Sequence, residues 1–245
     1  RILAVLKRIM LAVIYGYLAV GYGLTPCLLC IEKLKYFFMQ EQHDYLKSSF
    51  WCKEEIIDPY QTIALIFDEA NVSIYRNNIK NILRTTYSYR RWKEHIPDNP
   101  FFTFEKLELM MNAAYLINKE SKYSPLNISM SDIFNPNLYY GWHTSYTAWD
   151  FFPKMLSFEE YVNPYSTIKR FFNYKKLWDW KKLLKSLSDY AFSSQRITED
   201  MDDFDCISIY HYLVKLVEAV HLIDVREVNH IGGIIKNRIP KKNSY

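Results

Sequence analysis

Three groups of side chains in this 245-residue chain have types and spacings that could do chemistry. In Arg90-Arg91-Trp92-Lys93-Glu94-His95, an arginine and a histidine stand with four residues between them at the end of a helical pattern. An imidazole can move a proton near neutral pH, and a guanidinium can steady the charge that develops on a phosphorane, so Arg90 and His95 are candidate catalytic residues for phosphodiester cleavage. In Pro26-Cys27-Leu28-Leu29-Cys30-Ile31-Glu32-Lys33, two thiols sit at the start of a helical stretch. A helix N-terminus lowers a thiol's pKa, which makes Cys27 and Cys30 candidates for thiol–disulfide exchange. The third group is basic: Lys169, Arg170, Lys175, Lys176, Lys181, Lys182 and Lys185 are offset only by Asp179 and Asp189, and Trp178 and Trp180 lie among them. Cations with interleaved rings can hold phosphates and stack bases, so Lys175, Lys176, Lys181, Lys182 and Lys185 are candidate partner-binding residues.

Two of these patterns resemble known families over a few residues. The Arg90/His95 spacing is similar to that of the HEPN ribonucleases, in which an Arg and a His on one helix act on the RNA phosphate and the 2′-hydroxyl. That resemblance implies a ribonuclease whose site is assembled by a dimer. The Pro26–Lys33 octet resembles the redox motif of the disulfide-bond oxidoreductases that work with quinones, which implies membrane-linked thiol exchange. In that family a second apolar span follows at once, whereas here the chain continues KLKYFFMQEQHDYLKSSFW, too polar to cross a bilayer.

Each group also has a plainer account: a solvated basic helix end at residues 90–95, cysteines used as small apolar residues, and lysines on a solvated helix face with the rings turned inward. Glu218 and His221 stand at i, i+3, a spacing that suits a metal in a helical bundle, but a di-metal site needs the motif twice and the matching positions elsewhere are Asn112 and Tyr115. No metal and no cofactor is therefore expected, and His221 reads as a core histidine. Trp142, His143, Trp149 and Asp150 could line a pocket, with no role fixed by their spacing. Glu199, Asp200, Asp202, Asp203 and Asp205 read as a loop that supplies helix caps.

The elements that would carry these residues come in two copies. Asp58 to Ser88, DPYQTIALIFDEANVSIYRNNIKNILRTTYS, recurs in altered form as Asn163 to Ser193, NPYSTIKRFFNYKKLWDWKKLLKSLSDYAFS. A constant shift aligns Pro59 with Pro164, Tyr60 with Tyr165, Thr62 with Thr167, Ile63 with Ile168, Phe67 with Phe172 and Lys80 with Lys185. After a single inserted residue, Leu107, Ala113, Leu116 and Ile117 face Leu213, Ala219, Leu222 and Ile223. Such self-similarity predicts a tandem duplication. Asp58-Pro59 and Asn163-Pro164 are helix starts, with an N-cap followed by a proline whose missing N–H costs nothing in the first turn. Apolar stripes then predict a second helix in each copy, with breaks near Asn71 and Lys175, and a third helix over Phe104–Asn118 and Ile207–Asp224.

Composition agrees with that plan. Aromatic residues reach 17%, with 21 Tyr and 15 Phe, which excludes a largely disordered chain. Only 6 Gly are present, and three of them, Gly16, Gly21 and Gly23, fall near the start, so tight hairpins are hard to build and helices are favoured. A net charge of +4 is too mild to mark a nucleic-acid protein by itself, and 4 Cys are too few for a disulfide scaffold. Ile9 to Ile31 carries no charged side chain and follows Lys7 and Arg8, the pattern of a membrane anchor, although Gly21, Gly23 and Pro26 interrupt it.

The expectation is an all-α protein: a hydrophobic N-terminal helix over 1–31 that either anchors in a membrane or packs in a cytoplasmic fold, a first helical unit over 32–120, an aromatic-rich irregular but ordered connector over 121–161, and a second helical unit with a basic, frayed tail over 162–245. The duplicated three-helix units span about 57–118 and 162–224. Duplicated helical hairpins without a recognisable site present surfaces, so the expected function is an interaction module that binds protein or nucleic acid through the basic face of the second unit. HEPN-like RNA cleavage and membrane-linked thiol exchange stand as the alternatives.

Overall fold

The computed structural model describes residues 56–89, 92, 100–120, 125–126, 128, 148–201, 204–231 and 234–235, together with Leu46 and Phe50. The chain divides into two compact units at Asp44/Tyr45, and every described residue belongs to the second. That unit is mostly helical, in keeping with the all-α expectation. The hydrophobic stretch over 9–31 lies outside the described residues.

Helix α1 (Pro59–Glu69) starts where the sequence places it. The Asp58 carboxylate accepts the N–H groups of Tyr60 (2.8 Å) and Gln61 (3.2 Å), two donors that a helix start leaves without partners. Ala70 is extended and ends the helix, and Asn71 caps α2 (Val72–Thr86) by accepting from Ser73 and Ile74. Helix α3 (Pro100–Lys119) begins a turn before the expected Phe104, with Pro100 as a first-turn proline whose missing N–H costs nothing there. Among the described residues of the connector two short helices follow, α4 (Ala148–Phe151) and α5 (Phe158–Val162). The second is set by a capping box: the Ser157 hydroxyl accepts the Glu160 N–H, and the Glu160 carboxylate accepts the Ser157 N–H. Asn163 then caps α6 (Pro164–Tyr174), and α7 (Leu177–Phe192), α8 (Ile197–Asp200) and α9 (Cys206–Glu227) complete the helices among the described residues. Strands β1 (His230–Ile231) and β2 (Ile234–Ile235) pair antiparallel where the sequence suggested only a basic tail; Gly232 and Gly233 separate them in the chain.

Helix α9 runs through the core and packs on α1, α2, α3 and α6, while α7 packs on α2 and α3. By length and composition α9 could cross a membrane. In this fold its apolar residues, Val214, Leu216, Val217, Val220, Leu222 and Ile223, are covered by the neighbouring helices.

Four contacts recur with partners shifted along the chain. The Tyr75 hydroxyl donates to the carbonyl of Ile66 at 3.1 Å, and the Trp180 indole N–H donates to the carbonyl of Phe171 at 3.1 Å, each closing its own helical hairpin. Tyr60 at the start of α1 donates to Glu120 just past α3, and Tyr165 at the start of α6 donates to Glu227 at the end of α9. Burial, followed by the Glu227 hydrogen bond and charge and by the nearby Tyr60, pushes the Tyr165 phenol well above its ordinary range. Phe67 meets the edge of His221 with ring centres 4.9 Å apart, and Phe172 meets Tyr115 at 5.4 Å. Finally, Arg76 of α2 pairs with Glu218 of α9, and Lys181 of α7 pairs with Glu108 of α3, each inside the protein.

Candidate anion-binding surface

The turn from α6 into α7 carries most of the lysines singled out in the sequence. Lys175 closes α6, with its ammonium 5.1 Å from the centre of the Tyr174 ring, and Lys176 precedes the first turn of α7 without a side-chain cap bond. Lys176, Lys182 and Lys185 are exposed, and so is Trp178 at 59%. Tyr174 stacks on Tyr212 of α9, ring centres 4.2 Å apart, which fixes the base of this face. A cleft of about 510 Å³ opens beside it, lined by Lys175, Asp179, Lys182, Phe204 and Asp205 among others.

Lys181 is not on that face. It is 4% exposed, and its ammonium lies 2.9 Å from the fully buried Glu108 carboxylate. Helical spacing explains the withdrawal: Leu177, Lys181, Leu184 and Ser188 fall on one stripe, and all four are buried. The basic run thus divides into one inward ion pair and an outward set of four, Lys175, Lys176, Lys182 and Lys185.

Glu218, noted for its spacing to His221, is fully buried at the centre of a polar clamp. One carboxylate oxygen accepts from Arg76 (3.0 Å) and the Lys154 N–H (2.8 Å), and the other accepts from the N–H groups of Met155 (2.8 Å) and Leu156 (3.3 Å). Arg76 also donates to the carbonyls of Asp150 and Phe152. The carboxylate is filled by donors, so its work is to hold the irregular segment ahead of α5 against α2 and α9. Asn112, its counterpart in sequence, is also buried and donates to the carbonyl of Leu46 at 2.9 Å.

A second polar hollow of about 360 Å³ lies between α5, α6 and α9, lined by Glu160, Thr167, Arg170, Phe171, Ser208, His211, Tyr212 and Lys215. The buried Glu160 carboxylate receives Arg170 at 3.1 Å and Lys215 at 2.8 Å. Burial alone would raise its pKa, but the Lys215 hydrogen bond, the Ser157 N–H and the charges of Lys215 and Arg170 together hold it below the ordinary value of 4.5. The sequence reading missed this grouping. The Ser157/Glu160 capping box was its one local signal, and nothing in the chain pointed from there to Lys215.

No protein-family model matches this chain, and no curated protein or solved structure matches it. The site must therefore be read from its own chemistry. Arg90, His95, Cys27 and Cys30 lie outside the described residues. Among the described residues there is one cysteine, Cys206, whose thiol is pushed up by burial and by the Asp205 charge, the reverse of what thiolate chemistry needs. Asp205 itself caps α9 through the Ser208 N–H at 3.0 Å.

Proposed function

We propose that this protein is a non-catalytic helical module, built by duplication of a three-helix unit, that binds single-stranded nucleic acid on the α6–α7 face. The duplication is supported by the recurring contacts, two of which, Tyr75–Ile66 with Trp180–Phe171 and Phe67–His221 with Phe172–Tyr115, join positions that align in the two sequence copies. The binding reading rests on one observation: Lys175, Lys176, Lys182 and Lys185 share the α6–α7 turn and helix α7 with the exposed Trp178, while the lysine that breaks their pattern, Lys181, is withdrawn into an ion pair. A ring 59% exposed among cations supplies a stacking platform beside phosphate contacts, which suits a single strand better than a duplex, whose bases are already stacked. The first copy has no such face. Tyr75 and Arg76 take the places of Trp180 and Lys181, and Ser73 and Ile74 precede them where Trp178 and Asp179 follow Leu177 in the second.

The test is the salt dependence of binding to a fluorescein-labelled single-stranded RNA, read by anisotropy. Affinity is expected to fall steeply with salt, and the Lys176→Glu, Lys182→Glu, Lys185→Glu triple variant should flatten the log–log slope by about 2, three phosphate contacts at roughly 0.7 each. Trp178→Ala should weaken binding by about 1–3 kcal/mol while leaving the slope unchanged. Binding that is absent at low salt, or a slope unaltered in the triple variant, would overturn the reading and leave a protein partner for that face.

A further inference from the structure

The hollow between α5, α6 and α9 holds a set of groups whose arrangement the fold alone does not explain. Its floor is the Glu160 carboxylate, and every lone-pair direction on it is engaged. One oxygen takes Arg170 (3.1 Å) and Lys215 (3.0 Å), and the other takes the Ser157 N–H (2.9 Å) and Lys215 (2.8 Å). Glu160 therefore works as a fixed counter-ion that orients two cations rather than as a group with acceptor capacity to offer. Two cations against one carboxylate leave the hollow with a positive excess. Arg170 reaches Glu160 through Nη1 and is 56% exposed, so the rest of its fork is turned to solvent at the mouth.

Thr167 supplies the second, independent observation. It is 3% exposed and lines the hollow, and its hydroxyl has no hydrogen-bond partner among the described residues. Its counterpart Thr62 in α1 has one, because the Thr62 hydroxyl donates to the Asp58 carbonyl at 2.9 Å. At Thr167 the corresponding carbonyl, that of Asn163, is taken by the Ser166 hydroxyl at 2.7 Å. A buried hydroxyl left unpaired is destabilising, and it persists where something else accepts from it.

We propose that this hollow binds a phosphate monoester, whose oxygens accept from the Thr167 hydroxyl, the Lys215 ammonium and the outward edge of the Arg170 guanidinium. The groups on offer are donors and cations, which excludes a cationic ligand. A guanidinium fork beside an ammonium suits the several acceptor oxygens of a phosphate. At about 360 Å³ the hollow has room for the phosphate and part of the group it esterifies, against the rings of Phe171 and Tyr212. The ester is either a free small molecule or the 5′-phosphate of a nucleic-acid strand; the chemistry at the site is the same.

Isothermal titration of the full chain with inorganic phosphate, adenosine 5′-monophosphate and adenosine tests this directly. Phosphate and the monophosphate are expected to bind and adenosine is not. Thr167→Val keeps the shape and removes the hydroxyl, so it should weaken the monophosphate by about tenfold, the equivalent of one hydrogen bond, while leaving the melting temperature equal or higher. Arg170→Gln should weaken it further, since Lys215 still holds Glu160. A 5′-phosphorylated oligonucleotide that outcompetes its unphosphorylated twin by more than the free monophosphate does identifies the strand end as the source, and the opposite order identifies the small ester. The Lys176→Glu, Lys182→Glu, Lys185→Glu variant should keep its monophosphate affinity, which separates this site from the lysine face. No binding of phosphate or monophosphate at millimolar concentration, or unchanged affinity in both Thr167→Val and Arg170→Gln, overturns the proposal.

Discussion

The region from Asp58 to Glu120 and the region from Asn163 to Glu227 have nearly the same apolar anatomy and different polar anatomy. Both open on a capped Pro-Tyr turn, close a hairpin with a ring donating to a carbonyl, and lay the phenylalanine of the first helix on a ring of the other region's third helix. The buried cations are where they part. Arg76 reaches Glu218, which occupies the place that Asn112 holds in the first region. Lys181 pairs with Glu108, a helical turn before that asparagine. Packing thus restrains the apolar positions in both regions, while the polar ones are free to specialise. A distinctive activity is to be sought among the polar differences.

That contrast can be broken by substitution, and the largest effect is expected at Glu218. Glu218→Ala leaves Arg76 buried and strips three N–H groups of their acceptor, so it should cost about 5 kcal/mol in urea unfolding, the upper end for a broken buried pair. Its counterpart Asn112→Ala removes a single bond to Leu46 and should cost about 1–2 kcal/mol. Equal losses at the two positions would mean that the clamp carries no special weight. Lys181→Met comes next, at about 3 kcal/mol, because Glu108 remains buried without its ion partner.

Glu160 gives a smaller effect that depends on pH. Its carboxyl is held below the ordinary 4.5 in the folded protein, so its contribution is complete above that value and is lost as pH falls through the lower folded pKa. Glu160→Gln should therefore flatten the decline of stability below about pH 4.5, measured by thermal melts across that range. A decline as steep in the variant as in the parent would refute this. The smallest effect is a difference of sign. Thr62→Val should destabilise by about 1 kcal/mol through loss of its bond to Asp58, whereas Thr167→Val should be neutral or stabilising in the absence of ligand.

Much of the scaffold was legible in the chain because local rules wrote it: an Asp or Asn before Pro for the helix starts, and apolar residues at helical spacing for the buried stripes. The inward turn of Lys181 was legible too, since it occupies the same stripe as Leu177 and Leu184, but charge alone placed it with its neighbours. The start of α3 lies a turn before Phe104, where the apolar stripe places it, because a proline can open a helix as readily as end one. The hollow was hidden for a different reason. Glu160, Thr167 and Lys215 belong to three separate helices, and only tertiary packing brings them together, at distances along the chain that no spacing rule spans.

The Glu218 clamp has one more consequence. The segment from Phe152 to Leu156 lies outside every helix, yet its amides at Lys154 and Met155 are bound to a carboxylate at the centre of the core. Hydrogen exchange at those two amides then requires the segment to part from Glu218 of α9 and from Arg76 of α2, which holds the Phe152 carbonyl, so they should exchange far more slowly than ordinary loop amides. A stretch that looks irregular in trace thereby reports on the clamp that holds it to α2 and α9.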